Sequence, residues 1–148
     1  MNRDPKIIAF LCHWCSYTGA DLAGTSRVKY SPHVRIIRIM CSGRIDSAFV
    51  LKALREGADG VLICGCHPGD CHYQAGNEKA LKRHIMLKQM IGQFGIEQER
   101  IRLEWVSASE GDQFAKIVNE FTEQVKKLGP LDWKETMRPE SGEYHEQA

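Results

Sequence analysis

Three short apolar runs in this chain each end on a cysteine or within two residues of one. Ile7 to Leu11 leads into Cys12, Val34 to Met40 leads into Cys41, and Val61 to Cys64 is followed by Gly65 and Cys66. The runs have strand length, are rich in β-branched residues and are closely followed by Gly, Ser, His or Pro, so they predict buried strands. A fourth run, Ile101 to Val106, alternates apolar and charged residues, as expected of a last strand nearer the sheet edge.

Helical patterns lie between the runs. From Ser47 to Arg55, Phe49, Val50, Ala53 and Leu54 share one face, and Gly57 is placed as the stop. Asn77 is a candidate cap for a longer helix through Phe94, with Leu81, Ile85, Leu87, Met90, Ile91 and Phe94 as its apolar positions and Gly95 as its end. Glu110 lies near the start of a last helix. Its stripe of Phe114, Ile117, Val118, Phe121, Val125 and Leu128 reads as core packing and stops at Gly129-Pro130.

Alternating strands and helices with short connections call for parallel strands joined by right-handed crossovers. The expected fold is α/β: a flavodoxin-like open parallel sheet of about four strands with helices on both faces. Its extent is residues 1–130. Residues 131–148 are mainly polar, and apart from Trp133, Met137 and Tyr144 they offer little to bury, so they read as a flexible or partner-bound tail.

With 148 residues, the chain has room for one ordinary domain. Twenty basic against nineteen acidic residues leave a net charge of +1, which gives no bulk attraction to nucleic acid or an anionic membrane. The first apolar run is too short for a signal-peptide core or a membrane span, so the chain reads as cytoplasmic. In that reducing compartment six cysteines are better explained by metal or redox work than by structural disulfides.

In an open parallel sheet the carboxyl ends of the strands form the ligand-binding crevice. Cys12, Cys41 and Cys66 should therefore meet at one rim, with Cys15 and Cys71 in the adjoining loops. Four thiols are enough for a [2Fe-2S] or [4Fe-4S] cluster, and Gly43, Gly65 and Gly69 beside them allow close backbone approach. Structural zinc, a thiol-disulfide centre using Cys12 and Cys15, and inert core cysteines are the competing readings. Cys64, inside the third run, reads as a buried structural thiol. His67 and His72 read as residues beside the site rather than ligands, and His84 as a surface or packing residue. Trp14 and Tyr17 would either cover the site or form a docking surface. A flavin-phosphate role for residues 16–19 is a minor alternative to a simple turn and helix start.

Several long motifs carry a resemblance: Cys12-x-Trp-Cys-Ser-Tyr-x-Gly-Ala-Asp-Leu-Ala-Gly-Thr-Ser-Arg27, Val34-Arg-Ile-Ile-Arg-Ile-Met-Cys-Ser-Gly-Arg44, Gly65-Cys-His-Pro-Gly-Asp-Cys-His-Tyr73 and Arg102-Leu-Glu-Trp-Val-Ser-Ala-Ser-Glu-Gly111. From about Ile7 to Pro130 the chain resembles the delta subunit of methyl-viologen-reducing hydrogenase. The resemblance implies a [2Fe-2S] subunit relaying electrons between a hydrogenase or formate dehydrogenase module and the flavin-containing subunit of heterodisulfide reductase. Cys12, Cys15, Cys41, Cys66 and Cys71 match the motif cysteines, while Cys64 stands at a position not associated with the motif. One of the five is spare. Cys12, Cys41, Cys66 and Cys71 are favoured as ligands, since three of them end strands and the fourth shares a loop.

Overall fold

The computed structural model describes residues 3–13, 16–25, 32–67 and 76–137. Strands β1 (Ile7–Cys12), β2 (Val34–Ile39), β3 (Gly60–Gly65) and β4 (Ile101–Trp105) form one sheet in the order β2-β1-β3-β4. Every pairing is parallel. Parallel neighbours need long crossovers, and helices α1 (Ser16–Thr25), α2 (Ser47–Arg55) and α3 (Gly76–Gln93) lie in them. Helix α4 (Gly111–Leu128) follows β4, and a single turn, α5 (Trp133–Thr136), comes after it. The open α/β sheet anticipated from the sequence is the one observed.

Period-two alternation divides the strands between two cores. Ala9, Leu11, Leu62 and Cys64 face a cluster with Phe114, Ile117, Val118 and Phe121 of α4, to which α1 adds Ala20 and Ala23. Phe10, Val61 and Ile63 face the opposite cluster, with Val50 and Leu54 of α2 and Leu87 and Ile91 of α3. The α4 stripe is buried along its length to Val125, and the helix ends where Gly129 takes φ 78°, a conformation that favours glycine. Gly57, at φ 115°, likewise stands just beyond α2.

Three expectations need correction. β2 is not a buried strand: with a neighbour on one side only, it alternates between half-buried and exposed, and Ile37 is exposed. Its arginines, Arg35 and Arg38, suit an edge. In α2, Phe49 lies outside the core, and in α3 so does Leu81, with Ile85 and, just past the helix, Phe94, because the sheet covers a narrower stripe than spacing alone implied. Asn77 is not a cap but sits inside the first turn of α3.

The amino-terminal edge of the sheet is tied together by charge. Buried Asp59 accepts from both Arg3 guanidinium nitrogens at 2.9 and 2.7 Å, from the Lys6 backbone N–H at 2.9 Å and from the Leu131 backbone N–H at 3.0 Å. Fully buried Arg100 donates to the carbonyls of Asp59 and Gly129, each at 2.9 Å, and to Glu97 at 2.7 Å. These bonds bring the segment after α4 back under the sheet, where Leu131 is buried and Trp133 and Met137 pack on the second core.

Asp59→Ala strands the buried Leu131 N–H and the partly buried Lys6 N–H and should cost about 2–3 kcal/mol in urea denaturation. A loss below about 0.5 kcal/mol would mean the cluster is not holding the edge. His84 is buried in α3 rather than on the surface, and burial, aided by the positive charge of Lys88, lowers its pKa from 6.5 to about 4. The unfolded chain then takes up a proton that the folded chain refuses, so stability falls as pH drops from about 6.5 to about 4. His84→Leu should flatten that stretch of the stability-pH curve by roughly one proton, on the order of 2 kcal/mol across the window. An unchanged slope would refute the assignment.

Candidate metal centre

The carboxyl ends of β1, β2 and β3 reach the same rim. Register sets Cys12 opposite Ile39 of β2, and Leu11 opposite Cys64 of β3. One step further, Cys12 stands beside Gly65, Cys66 follows β3, and Cys41 follows β2. The sulfurs of Cys12 and Cys66 lie 3.6 Å apart, although 54 positions separate them in the chain. The Cys12 thiol also donates to the carbonyl of Met40 at 3.8 Å, which fixes it against the segment that presents Cys41. All three cysteines are buried.

That sulfur separation has chemical meaning. Two thiolates on one tetrahedral metal, with bonds of about 2.3 Å, stand about 3.8 Å apart. The Cys12–Cys66 pair is already near that edge length, and no disulfide joins the two sulfurs. Among the described residues no three His, Cys, Asp or Glu side chains gather at a single metal point. Cys15 and Cys71, with Trp14 and His72, lie outside the described residues.

The loops bearing the thiols are fixed by close contact. Cys41 caps the short 3-10 turn Ser42–Arg44, its sulfur accepting from Gly43 N at 3.4 Å. A Cβ on Gly43 would meet the Cα and carbonyl oxygen of Gly76 at 2.8 and 2.9 Å, so only glycine lets this turn lie against the start of α3. A Cβ on Gly65 would meet Ser42 Oγ at 2.8 Å, which places the turn after Cys41 directly over the residue before Cys66.

Helix α3 holds both loops. Asn77 Nδ2 donates to the carbonyls of Cys66 and His67 at 3.2 and 3.0 Å. Arg83 donates to the carbonyls of Gly43 and Ile45, the latter at 3.1 Å. On the other side, Ser16 Oγ at the start of α1 donates to the carbonyls of Gly65 and Val106 at 3.2 and 3.1 Å. Asn77 and Arg83 are not among the site residues the sequence suggests, and Ser16 is so only through the minor phosphate-binding alternative. A polar side chain bonding a distant carbonyl leaves no spacing signature, though Ser16 does stand inside the first cysteine motif.

Around this frame, His67 Nε2 pairs with Glu110 Oε1 at the head of α4. Glu110 also accepts from Ser107 N at 2.9 Å, and chiefly that bond, then His67, holds its carboxyl below the usual range. Tyr17 is half-buried against the first core, with the Arg38 guanidinium 5.2 Å from its ring centroid. Cys64 is fully enclosed between the sheet and α4. Burial, then the charge of Glu104, pushes its thiol well above the ordinary range and keeps it protonated.

The arrangement can present clustered thiolates to a soft metal or an iron-sulfur group, with small residues and backbone donors close by. One observation bears on fit: Ser42 Oγ, buried at the same rim, lacks a hydrogen-bond partner among the described residues. A sulfide or thiolate is one acceptor that would complete it, and the buried thiols of Cys12, Cys41 and Cys66 beside it are the donors that suit a soft, sulfur-rich group.

Comparison with known proteins gives the family and its relatives. The family described as methyl-viologen-reducing hydrogenase, delta subunit, matches residues 7–129. The iron-sulfur subunit of the vhc F420-non-reducing hydrogenase of Methanococcus voltae is 55% identical over 134 residues, covering 90% of this chain and 93% of that protein. The iron-sulfur subunit of the F420-non-reducing hydrogenase of Archaeoglobus profundus is 49% identical over 128 residues, covering 86% and 93%. In Methanosarcina acetivorans, one of the subunits of ferredoxin/F(420)H(2)-dependent CoB-CoM heterodisulfide reductase is 49% identical over 130 residues, which are 88% of this chain but 16% of that protein.

Gly43→Ala drives a methyl group into the backbone of α3 and should cost about 1–3 kcal/mol. Gly24→Ala, in α1 with open space around it, should instead be neutral or stabilising by up to about 1 kcal/mol. Thermal melts of the two proteins check the contrast, and equal midpoints would show that the turn and α3 are not in close contact.

Proposed function

The chain belongs to the family of methyl-viologen-reducing hydrogenase delta subunits, and on that premise we propose that it is a [2Fe-2S] electron-transfer subunit. It relays electrons between a hydrogenase or formate dehydrogenase module and the flavin-containing subunit of heterodisulfide reductase. The observation that carries the reading is the meeting of Cys12 and Cys66 sulfurs at 3.6 Å, at a rim to which Cys41 is also brought.

Cys12, Cys41, Cys66 and Cys71 hold the cluster, and Cys15 is the spare thiol of the motif. Bound there, the cluster supplies a site that accepts and releases one electron. The chain's own residues supply rigidity. Asn77 and Arg83 fix two of the ligand loops to α3, Ser16 fixes the end of β3 to the end of β4, and Gly43 N donates to the Cys41 sulfur. A rigid shell keeps rearrangement on transfer small. No acid-base residue is required, because the transfer moves no proton through a side chain.

The partners follow from the relatives. Proteins named as hydrogenase iron-sulfur subunits match this chain over most of their own length, and two proteins named as heterodisulfide reductase subunits carry a region like it within one much longer chain. Fusion in those relatives supports contact between this protein and the corresponding reductase component when the two are separate chains. A cytoplasmic location goes with this reading, since six cysteines serving a metal group suit a reducing compartment. Among the described residues no helix is long and apolar enough to cross a membrane.

Protein purified without oxygen should be brown and contain about two irons per chain. Serine at Cys12, Cys41, Cys66 or Cys71 should remove the colour, whereas Cys15→Ser and Cys64→Ser should keep it. Colourless protein with stoichiometric zinc would replace the electron-carrier reading with a zinc-stabilised assembly subunit.

A further inference from the structure

Ser42 is 1% exposed, and its hydroxyl has no hydrogen-bond partner among the described residues. A buried hydroxyl left unpaired costs about 1–3 kcal/mol. Alanine would fill nearly the same space without that cost. Space filling therefore explains a small residue at position 42, but not an oxygen.

The place of the hydroxyl is narrowly defined. Ser42 follows Cys41 in sequence, and its Oγ lies against Gly65, the residue before Cys66, so closely that a Cβ there would stand 2.8 Å away. The oxygen thus lies where the segment bearing Cys41 meets the residue before Cys66. Nearby donors are already committed: Ser16 Oγ to two carbonyls, Asn77 Nδ2 to two more, and Gly43 N to the Cys41 sulfur.

Resting on the cluster proposed above, we propose that Ser42 donates its hydroxyl hydrogen to a sulfur of the bound cluster and thereby sets its potential. Sulfide and thiolate sulfurs are acceptors, and reduction adds one electron to a group that is already anionic. A donor in a buried site stabilises the reduced form more than the oxidised form, so the bond raises the reduction potential. The proton stays on Ser42 throughout.

Ser42→Ala in the full chain, reconstituted without oxygen beside wild type, tests this. The expected result is unchanged iron content, a midpoint shifted to more negative potential in an EPR-monitored titration, and loss of one exchangeable-proton coupling in ENDOR. Ser42→Thr should restore both signals. Metal-free Ser42→Ala should melt no lower than wild type, because the change removes an unpaired oxygen. Gly65→Ala, which pushes the hydroxyl aside while keeping it, should shift the midpoint in the same direction and provides a second route if the first variant folds poorly. Unchanged midpoints in both variants, with the proton coupling retained in Ser42→Ala, would overturn the role of Ser42 and leave the cluster standing. Wild type that binds no iron would overturn the cluster itself.

Discussion

Parallel pairing of β1 with β2 on one side and β3 on the other is the constraint on which the rest of the molecule depends. Parallel strands all end in the same direction, so any residue type placed repeatedly after a strand is gathered at one rim. The chain uses this for cysteine. With β1 in the middle of three consecutive strands of the sheet, its terminal Cys12 reaches both the Met40 carbonyl after β2 and the Cys66 sulfur after β3. A one-residue slip in either ladder would reverse the facing of every side chain on the moved strand. It would also bury the wrong residues against α4, so core packing and thiol geometry enforce the same register.

The two ends of the sheet are built differently. The amino-terminal end is held by Asp59 and Arg100, whose charges are satisfied by backbone groups and by Arg3 and Glu97. The carboxyl end has thiols, glycines, the uncharged donors Asn77 and Ser16, and the cationic donor Arg83. Its loops are fixed by bonds to backbone carbonyls from Asn77, Arg83 and Ser16. Among the described residues, this division places the buried carboxylate Asp59 at the opposite end from the thiols. Glu110, at the head of α4, is engaged by His67 and by the Ser107 N–H.

Close approach is the other device at the rim. Gly43 against Gly76 and Gly65 against Ser42 bring three separate loops within van der Waals distance. Neither glycine needs an unusual backbone angle: both are glycine because a neighbour occupies the place of the missing side chain. The motif that follows Cys41, Ser-Gly-Arg, is explained residue by residue up to Gly43: a buried hydroxyl, then a position with no room for a Cβ.

Much of this was written in the sequence. Strand and helix periods determine the α/β order, the α4 stripe from Phe114 to Val125 and the stops at Gly57, Gly95 and Gly129, because those features depend on local pattern and backbone freedom. The meeting of Cys12 with Cys66, and the placing of Cys41 after the neighbouring strand at the same rim, followed once the strands were taken as parallel. What only the tertiary structure decided was the surroundings. Burial of β2, Phe49, Leu81 and Ile85 depends on which faces other elements cover, and apolar spacing is the same whether or not a cover arrives. The tasks of Asn77, Arg83, Ser16 and Ser42 were invisible for a related reason: a hydrogen bond between residues tens of positions apart is created by folding, and no local pattern in the chain encodes its partner.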